Sequence, residues 1–224
     1  MTIRDWPITE RPREKLLARG AEILSDAELL AVLLGSGTRG GSAVELARGL
    51  LTEFGSLRDL LLCDRTRCLK QHGIGLARYS LLQAALELTR RHYRETLSLG
   101  SVLDEPLATR AFLFAQLRDR PYEVFCCLYL DARGRLIAFQ ELFRGTVNRA
   151  SVHPREVVRE TLMHNASAVI LAHNHPSGAS EPSRTDELIT RQVKEALELV
   201  DVQVIDHIIV GDSGCYSFLE HGIL

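Results

Sequence analysis

The sequence predicts an α/β protein in two parts, an all-helical part over residues 1–98 and an α/β sandwich over residues 102–224. Three observations predict it. Serine capping signatures recur through the first part, each a Ser followed three residues later by an acid. Apolar runs of strand length alternate with helical periodicity in the second. Between them, residues 95–106 lose helical periodicity and contain Gly100, Ser101 and Pro106, which places the boundary near 98–102.

In the first part, Pro12 near the start of residues 12–19 suits an opening helix. Ser25-x-x-Glu28 opens a second helix through Leu34, and Gly35 can end it. Ser42-x-x-Glu45 opens a third, with Val44, Leu46, Ala47, Leu50, Leu51 and Phe54 inside and Gly55 after it. Ser56-x-x-Asp59 opens a short fourth. Residues 69–78 then read as a helix-hairpin-helix: a short helix, a Gly73-Ile74-Gly75 hairpin, and a second helix over about 76–94. Glycines there let backbone N–H groups approach a phosphate at a helix N-terminus, so a sequence-independent DNA contact through residues 69–78 is one expectation, although only Lys70 and Arg78 supply cations close by. A tight interhelical turn explains the same glycines without DNA.

In the second part, residues 107–118 carry a helical apolar pattern. Residues 124–130 are apolar on both alternating faces and read as a fully buried strand. The turn Asp131-Ala132-Arg133-Gly134 leads into a second strand over 135–143. Glu123 heads the first of these strands, where a charge is unusual unless paired or functional. Residues 154–165 form a helix with Pro154 at its start. Ala168 to Ala172 is a buried strand. Strands over 202–210 and 215–218, joined by the turn 211–214, close the chain.

The chemistry concentrates after the strand 168–172. If that strand carries through His175, His173 and His175 stand two apart and share one face. Asp186 follows in the first turn of a helix announced by Ser183-x-x-Asp186 and by apolar positions Leu188, Ile189, Val193, Leu197 and Val200. Two imidazoles and a carboxylate make three nitrogen and oxygen donors, the number a catalytic zinc uses while its fourth position stays open. The loop between them holds about ten residues, long for a connection and typical of functional loops.

The spacing His173-x-His175, seven residues, Ser183, two residues, Asp186 resembles the JAMM motif of MPN-type zinc metalloproteases. The surrounding words are similar to the bacterial RadC-like branch: residues 141–146, His153-Pro154-Arg155-Glu156, His173 through Gly178, and residues 206–211. The resemblance extends over nearly the whole chain. It implies a JAMM/MPN, cytidine-deaminase-like α/β sandwich, Zn2+ on His173, His175 and Asp186, and hydrolysis of a peptide or isopeptide bond in a peptide or protein substrate. It also implies a glutamate on an early strand as general acid/base. Glu123 matches by heading the first strand, and Glu141 in the next strand is its rival. Ser183 would donate a hydrogen bond to the developing oxyanion, although a cap alone explains a serine there. Asn174 stands where eukaryotic deubiquitinating members have Ser or Thr, and their glycine-rich stretch after the glutamate is absent. Ubiquitin-type substrates are therefore not implied.

Asp206 and His207 offer themselves as extra ligands but are read as lying outside the ligand set; a ligating histidine usually needs a second hydrogen-bond partner, and Asp206 is a candidate acceptor. His72, His92, His153, His164 and His221 read as structural or surface residues.

The length of 224 residues allows one large or two small domains, and the composition is ordinary for a soluble globular protein. Hydrophobic residues are 46% and charged residues 25% of 224. No apolar run nears membrane-spanning length, and residues 1–7 hold no signal-peptide core. Five cysteines without a C-x-x-C pair suit a reducing cytoplasm. Residues 1–98 hold 15 basic and 12 acidic side chains, net +3; residues 99–224 hold 12 and 17, net −5. The mildly basic first part permits nucleic-acid contact without requiring it. Two other function classes follow. One is a DNA-associated protein whose metal site is vestigial or serves another hydrolysis. The other is a scaffold with structural zinc, which normally needs four protein ligands where the loop 176–185 adds no Cys or His.

Overall fold

The computed structural model describes residues 3–102, 104–145 and 152–224. Thr146, part of the motif over 141–146, lies outside the described residues. The chain divides into two compact units, Met1–Thr89 and Arg90–Leu224.

The first unit is helical. Helices α1 (Pro12–Arg19), α2 (Asp26–Leu34), α3 (Ala43–Phe54) and α4 (Leu57–Leu62) start and stop where the caps dictate. Ser25 and Ser42 form complete capping boxes with Glu28 and Glu45, and Ser56 accepts from the Asp59 amide. Short α5 (Arg65–Leu69) and the hairpin at Gly73 lead into α6 (Leu76–Leu99). Leu30, Val44, Ala47, Leu60, Cys68 and Leu82 make the core of this unit.

α6 runs to Leu99, beyond the expected end near 94, and the two compact units meet inside it, between Thr89 and Arg90. The reason is tertiary. Leu97 is buried, and it and Tyr93 join the apolar cluster of the second unit around Phe112 and Leu128. Packing holds turns that local periodicity leaves undecided.

The second unit is an α/β sandwich. Helix α7 (Pro106–Leu117) precedes strands β1 (Val124–Leu130) and β2 (Leu136–Arg144). Helix α8 (Pro154–Met163), strand β3 (Ala168–Asn174), helix α9 (Arg184–Glu198) and strands β4 (Gln203–Val210) and β5 (Cys215–Ser217) follow. The mixed sheet has the order β2-β1-β3-β4-β5, with β3 and β4 parallel and the other neighbours antiparallel.

The pleat sorts residues into two layers. Val124, Cys126, Leu128, Ile170 and Ala172 join the cluster that contains Phe112 and Leu113 of α7. Phe125, Cys127, Tyr129, Val169 and Leu171 join the cluster that contains Val157 of α8 and Val193 and Leu197 of α9. Cys126 and Cys127 thus face opposite sides of one strand. The apolar stripe of α9 is narrower than its sequence suggests, because Leu188 is exposed. By the same alternation His173 and His175 follow Val169 and Leu171 towards α9, and Asn174 points to the other layer.

In the fragment 90–224, Leu97→Ala is expected to cost about 2–5 kcal/mol in urea denaturation. A cost below about 0.5 kcal/mol would place residues 90–99 outside this domain's core.

Candidate metal centre

The site lies past the carboxyl ends of the parallel pair β3 and β4, where open α/β sheets place their ligands. The β3 strand ends at Asn174, but the His175 amide donates to the Val210 carbonyl at 3.0 Å and continues the ladder by one residue. His173 and His175 therefore keep one face, and their Nε2 atoms lie 3.0 Å apart. Helix α9 delivers Asp186 to the same point. Asp186 Oδ1 is 3.3 Å from His173 Nε2, and Oδ2 is 3.6 Å from His175 Nε2. Among the described residues, these three are the group of His, Cys, Asp and Glu side chains that could share a metal ion, with donor atoms within 4.8 Å of one another.

The donor set fits a cation. His175 Nδ1 lies 2.9 Å from the Ala179 carbonyl, which only accepts, so Nδ1 carries a proton, and in the neutral ring Nε2 keeps the lone pair a cation would take. Two imidazole nitrogens at 3.0 Å are favourable only with a proton or a metal between them. Burial opposes the charge on Asp186, but bonds to His173 and His175 outweigh it and hold the carboxyl well below the usual range. The bond to Asp186 also raises His175, against burial.

Asp186 and Ser183 cap α9 reciprocally. The Ser183 amide donates to Asp186 Oδ2 at 2.7 Å, and the Asp186 amide donates to Ser183 Oγ at 3.2 Å. The cap uses an Oγ lone pair, and a side-chain bond from Ser183 also helps hold the Asp186 carboxyl low.

The loop after His175 is held by close backbone packing. Gly178 adopts φ +87°, and a Cβ there would lie 2.6 Å from Asp212 Oδ2. At Gly211 a Cβ would lie 2.6 Å from the Gly178 carbonyl oxygen. Only glycine fits either position, which gives the Gly211 of the 206–211 motif a physical reason.

Glu123 and Glu141 separate by environment. Glu123 lines a cleft of about 760 Å3 together with Pro121, Tyr122, Arg144, His175 and Pro176. Its charge contributes to raising His175. Glu141 is engaged by Arg120 and by Arg144, the latter at 3.3 Å. The position of Glu123 depends on Asn174. Asn174 Oδ1 accepts the Val124 amide at 2.8 Å and its Nδ2 donates to the Tyr122 carbonyl at 3.1 Å. The middle residue of the H-x-H thus clamps the chain on both sides of Glu123.

One expectation is corrected. Asp206 does not meet a ligating histidine. It accepts from Ser217 Oγ at 2.6 Å, the Leu219 amide at 2.9 Å and the His207 amide at 2.7 Å, tying β4 to the chain end. Buried His207 takes that place, with Nε2 2.8 Å from His173 Nδ1. Burial and neighbouring His173 push His207 well below the ordinary histidine range, so it is neutral. No sequence signal distinguishes the two neighbours: alternation from Val204 would face Asp206 towards α9, but a register shift in the β3–β4 pairing between Val169 and Ile170 turns His207 there instead. Arg78 in the N-terminal hairpin is also committed elsewhere. It donates to the carbonyls of Gly73, Ser36 and Gly37 and to Ser36 Oγ, at 2.5 to 3.0 Å. His164 packs at a tilt against Tyr129 and meets Gln140, and His221 stacks on Tyr216, so both have structural contacts.

Comparison with known proteins agrees with this architecture. Residues 103–223 match the RadC-like JAB domain, and residues 3–80 match the UPF0758 N-terminal family. The chain belongs to the RadC-like JAB domain family. It is 59% identical to a UPF0758 protein of Nitrosococcus oceani and 60% identical to one of Thioalkalivibrio sulfidiphilus, each over all of both chains. A UPF0758 protein of Halorhodospira halophila is 57% identical over the same full span. In this RadC-like domain no helix among the described residues is long and apolar enough to cross a membrane.

Ser183→Ala removes half of the α9 cap and is expected to cost about 1 kcal/mol of stability with metal uptake retained. Asp186→Asn is expected to abolish uptake. Elemental analysis beside thermal denaturation checks both, and equal metal loss in the two variants would assign the effect to the cap.

Proposed function

We propose that the protein is a zinc-dependent metallopeptidase or isopeptidase that hydrolyses a peptide or isopeptide bond in its C-terminal domain. The observation that carries this reading is the convergence of His173 Nε2, His175 Nε2 and the Asp186 carboxylate at one end of a cleft whose wall also holds Glu123. Three protein donors leave a position for water or substrate, the arrangement of a catalytic rather than a structural zinc.

His173, His175 and Asp186 would hold the ion. When bound, zinc supplies a Lewis acid that polarises a carbonyl and lowers the pKa of water towards about 7. The residues of the chain do the rest. Glu123 accepts the proton of the attacking water and returns it to the leaving amine nitrogen. Its rival Glu141 is spent on Arg120 and Arg144, which favours Glu123 in this role. The Ser183 hydroxyl, which also bonds to the Asp186 carboxylate, turns to donate to the carbonyl oxygen as it gains charge. Pro121, Tyr122 and Pro176 give the cleft an apolar wall for an extended chain, and the Arg144 guanidinium, 5.3 Å above the Tyr122 ring, adds a cation at its rim.

About one zinc per chain is expected in the purified protein. His175→Ala should lose it. Glu123→Gln should keep it while losing at least about 100-fold in hydrolysis of a general peptide library. Absence of zinc after reconstitution, or full activity in Glu123→Gln, would overturn the reading.

A second reading concerns the N-terminal unit, which would contact DNA through residues 69–78. Exposed Gly75 precedes α6 with open space where a Cβ would stand, so the backbone there can approach a phosphate. Arg78 is already bonded internally, leaving Lys70 and the backbone as the contacts. Binding is then expected to be weak, indifferent to sequence and steeply reduced by salt. Fluorescence anisotropy of a labelled duplex across a salt series checks this, and salt-independent or absent binding at low salt would contradict it.

A further inference from the structure

Behind the metal centre runs a line of hydrogen bonds with one self-consistent arrangement of protons. It begins at Thr190, buried one turn after Asp186 in α9. Thr190 Oγ1 is 2.5 Å from the Asp186 carbonyl and 2.5 Å from His207 Nδ1. A carbonyl only accepts, so Thr190 donates its single proton to Asp186. Its oxygen can then only accept from His207, and His207 Nδ1 must carry a proton. His207 is fully buried, with Phe125 edge-on at 5.6 Å and Phe218 at 4.8 Å, and its ring nitrogens meet a hydroxyl and an imidazole rather than a carboxylate. In its neutral form Nε2 holds a lone pair and accepts from His173 Nδ1 at 2.8 Å. His173 is thereby protonated on Nδ1, and its Nε2 lone pair is turned towards His175 and Asp186.

We propose that Thr190 and His207 are positioning residues of the metal centre, selecting the His173 tautomer that presents Nε2 to the ion. The proposal rests on the zinc reading above. His175 is set by a local bond to Ala179 in its own loop, whereas His173 is buried in β3 and has no such carbonyl partner at Nδ1. The line reaches His173 through β4 and returns to the helix that carries Asp186. The backbone oxygen of one ligand therefore helps set the tautomer of another. Such outer contacts typically change metal affinity 10–100-fold when removed.

The test uses the full-length protein and variants Thr190→Val, Thr190→Ser and His207→Gln. Zinc affinity is measured by competition with a chromophoric chelator. Imidazole protonation is read by two-bond proton–nitrogen NMR of the metal-free protein at about pH 9, above the ordinary histidine range. Thr190→Val keeps the side-chain shape and is expected to weaken zinc about 10–100-fold. Thr190→Ser restores the hydroxyl and should return affinity to within about threefold of the parent. Wild-type His173 should carry its proton on Nδ1, and Thr190→Val should shift population to Nε2–H. His207→Gln should weaken zinc as Thr190→Val does; if it fails to fold, the threonine pair still decides. Unchanged affinity in Thr190→Val, or a wild-type His173 protonated on Nε2, overturns the proposal. If the wild type takes up no zinc, the metallopeptidase reading falls, and the NMR measurement alone decides whether the line of bonds exists.

Discussion

Asp186 serves two structures with one carboxylate. Oδ2 receives the Ser183 amide and so defines where α9 begins, while Oδ1 faces His173 across 3.3 Å. The start of a helix and the position of a candidate metal ligand are therefore one constraint. A helix beginning one residue later would lose its capping box and withdraw the carboxylate from the histidines together. One turn on, Thr190 joins the Asp186 carbonyl to His207, so the first two turns of α9 are bound to β4 as well as to β3 through the same cluster. An amphipathic helix could dock on this sheet in several registers by apolar contact alone, because hydrophobic burial is not directional. The polar contacts at its N-terminus select one.

The sheet supplies the second half of the arrangement. Antiparallel pairing sets Phe125 opposite His173, so the mouth of β1 lies beside the end of β3. Asn174 turns this proximity into a defined position for Glu123 by binding the amide of Val124 and the carbonyl of Tyr122. A buried amide with both ends satisfied is directional in a way that a hydroxyl at this position would not match, since a hydroxyl has one proton and a shorter reach. The H-N-H triplet thus divides its work between two layers of the sandwich, with imidazoles on one face and the amide on the other.

Much of this was legible in the residues. The serine signatures located α2, α3, α4 and α9 because capping is local and its partners stand three residues apart. Strand alternation put His173 and His175 on one face, and the cap put Asp186 in the first turn. What was not legible depends on tertiary partners. The end of α6 is held by Leu97 packing into a core that local periodicity cannot see. The choice between Glu123 and Glu141 turns on Arg120 and Arg144, one of them from outside the strand that carries Glu141. A carboxylate is the commoner partner for a ligating histidine, so the sequence favours Asp206 over His207, and only the shifted register of β4 against β3 reverses that order. The internal bonds of Arg78 are equally hidden from local sequence, because most of its acceptors lie some forty residues away in the loop at Ser36 and Gly37.

The measurement that bears most directly on the account is X-ray absorption at the zinc edge of the reconstituted protein. The account predicts a first shell of nitrogen and oxygen only, with the outer-shell scattering of two imidazoles and no sulfur. A sulfur shell would bring in one of the five cysteines, all of which lie outside the His173–His175–Asp186 group. That result, or a shell without imidazole, would contradict the account at its centre.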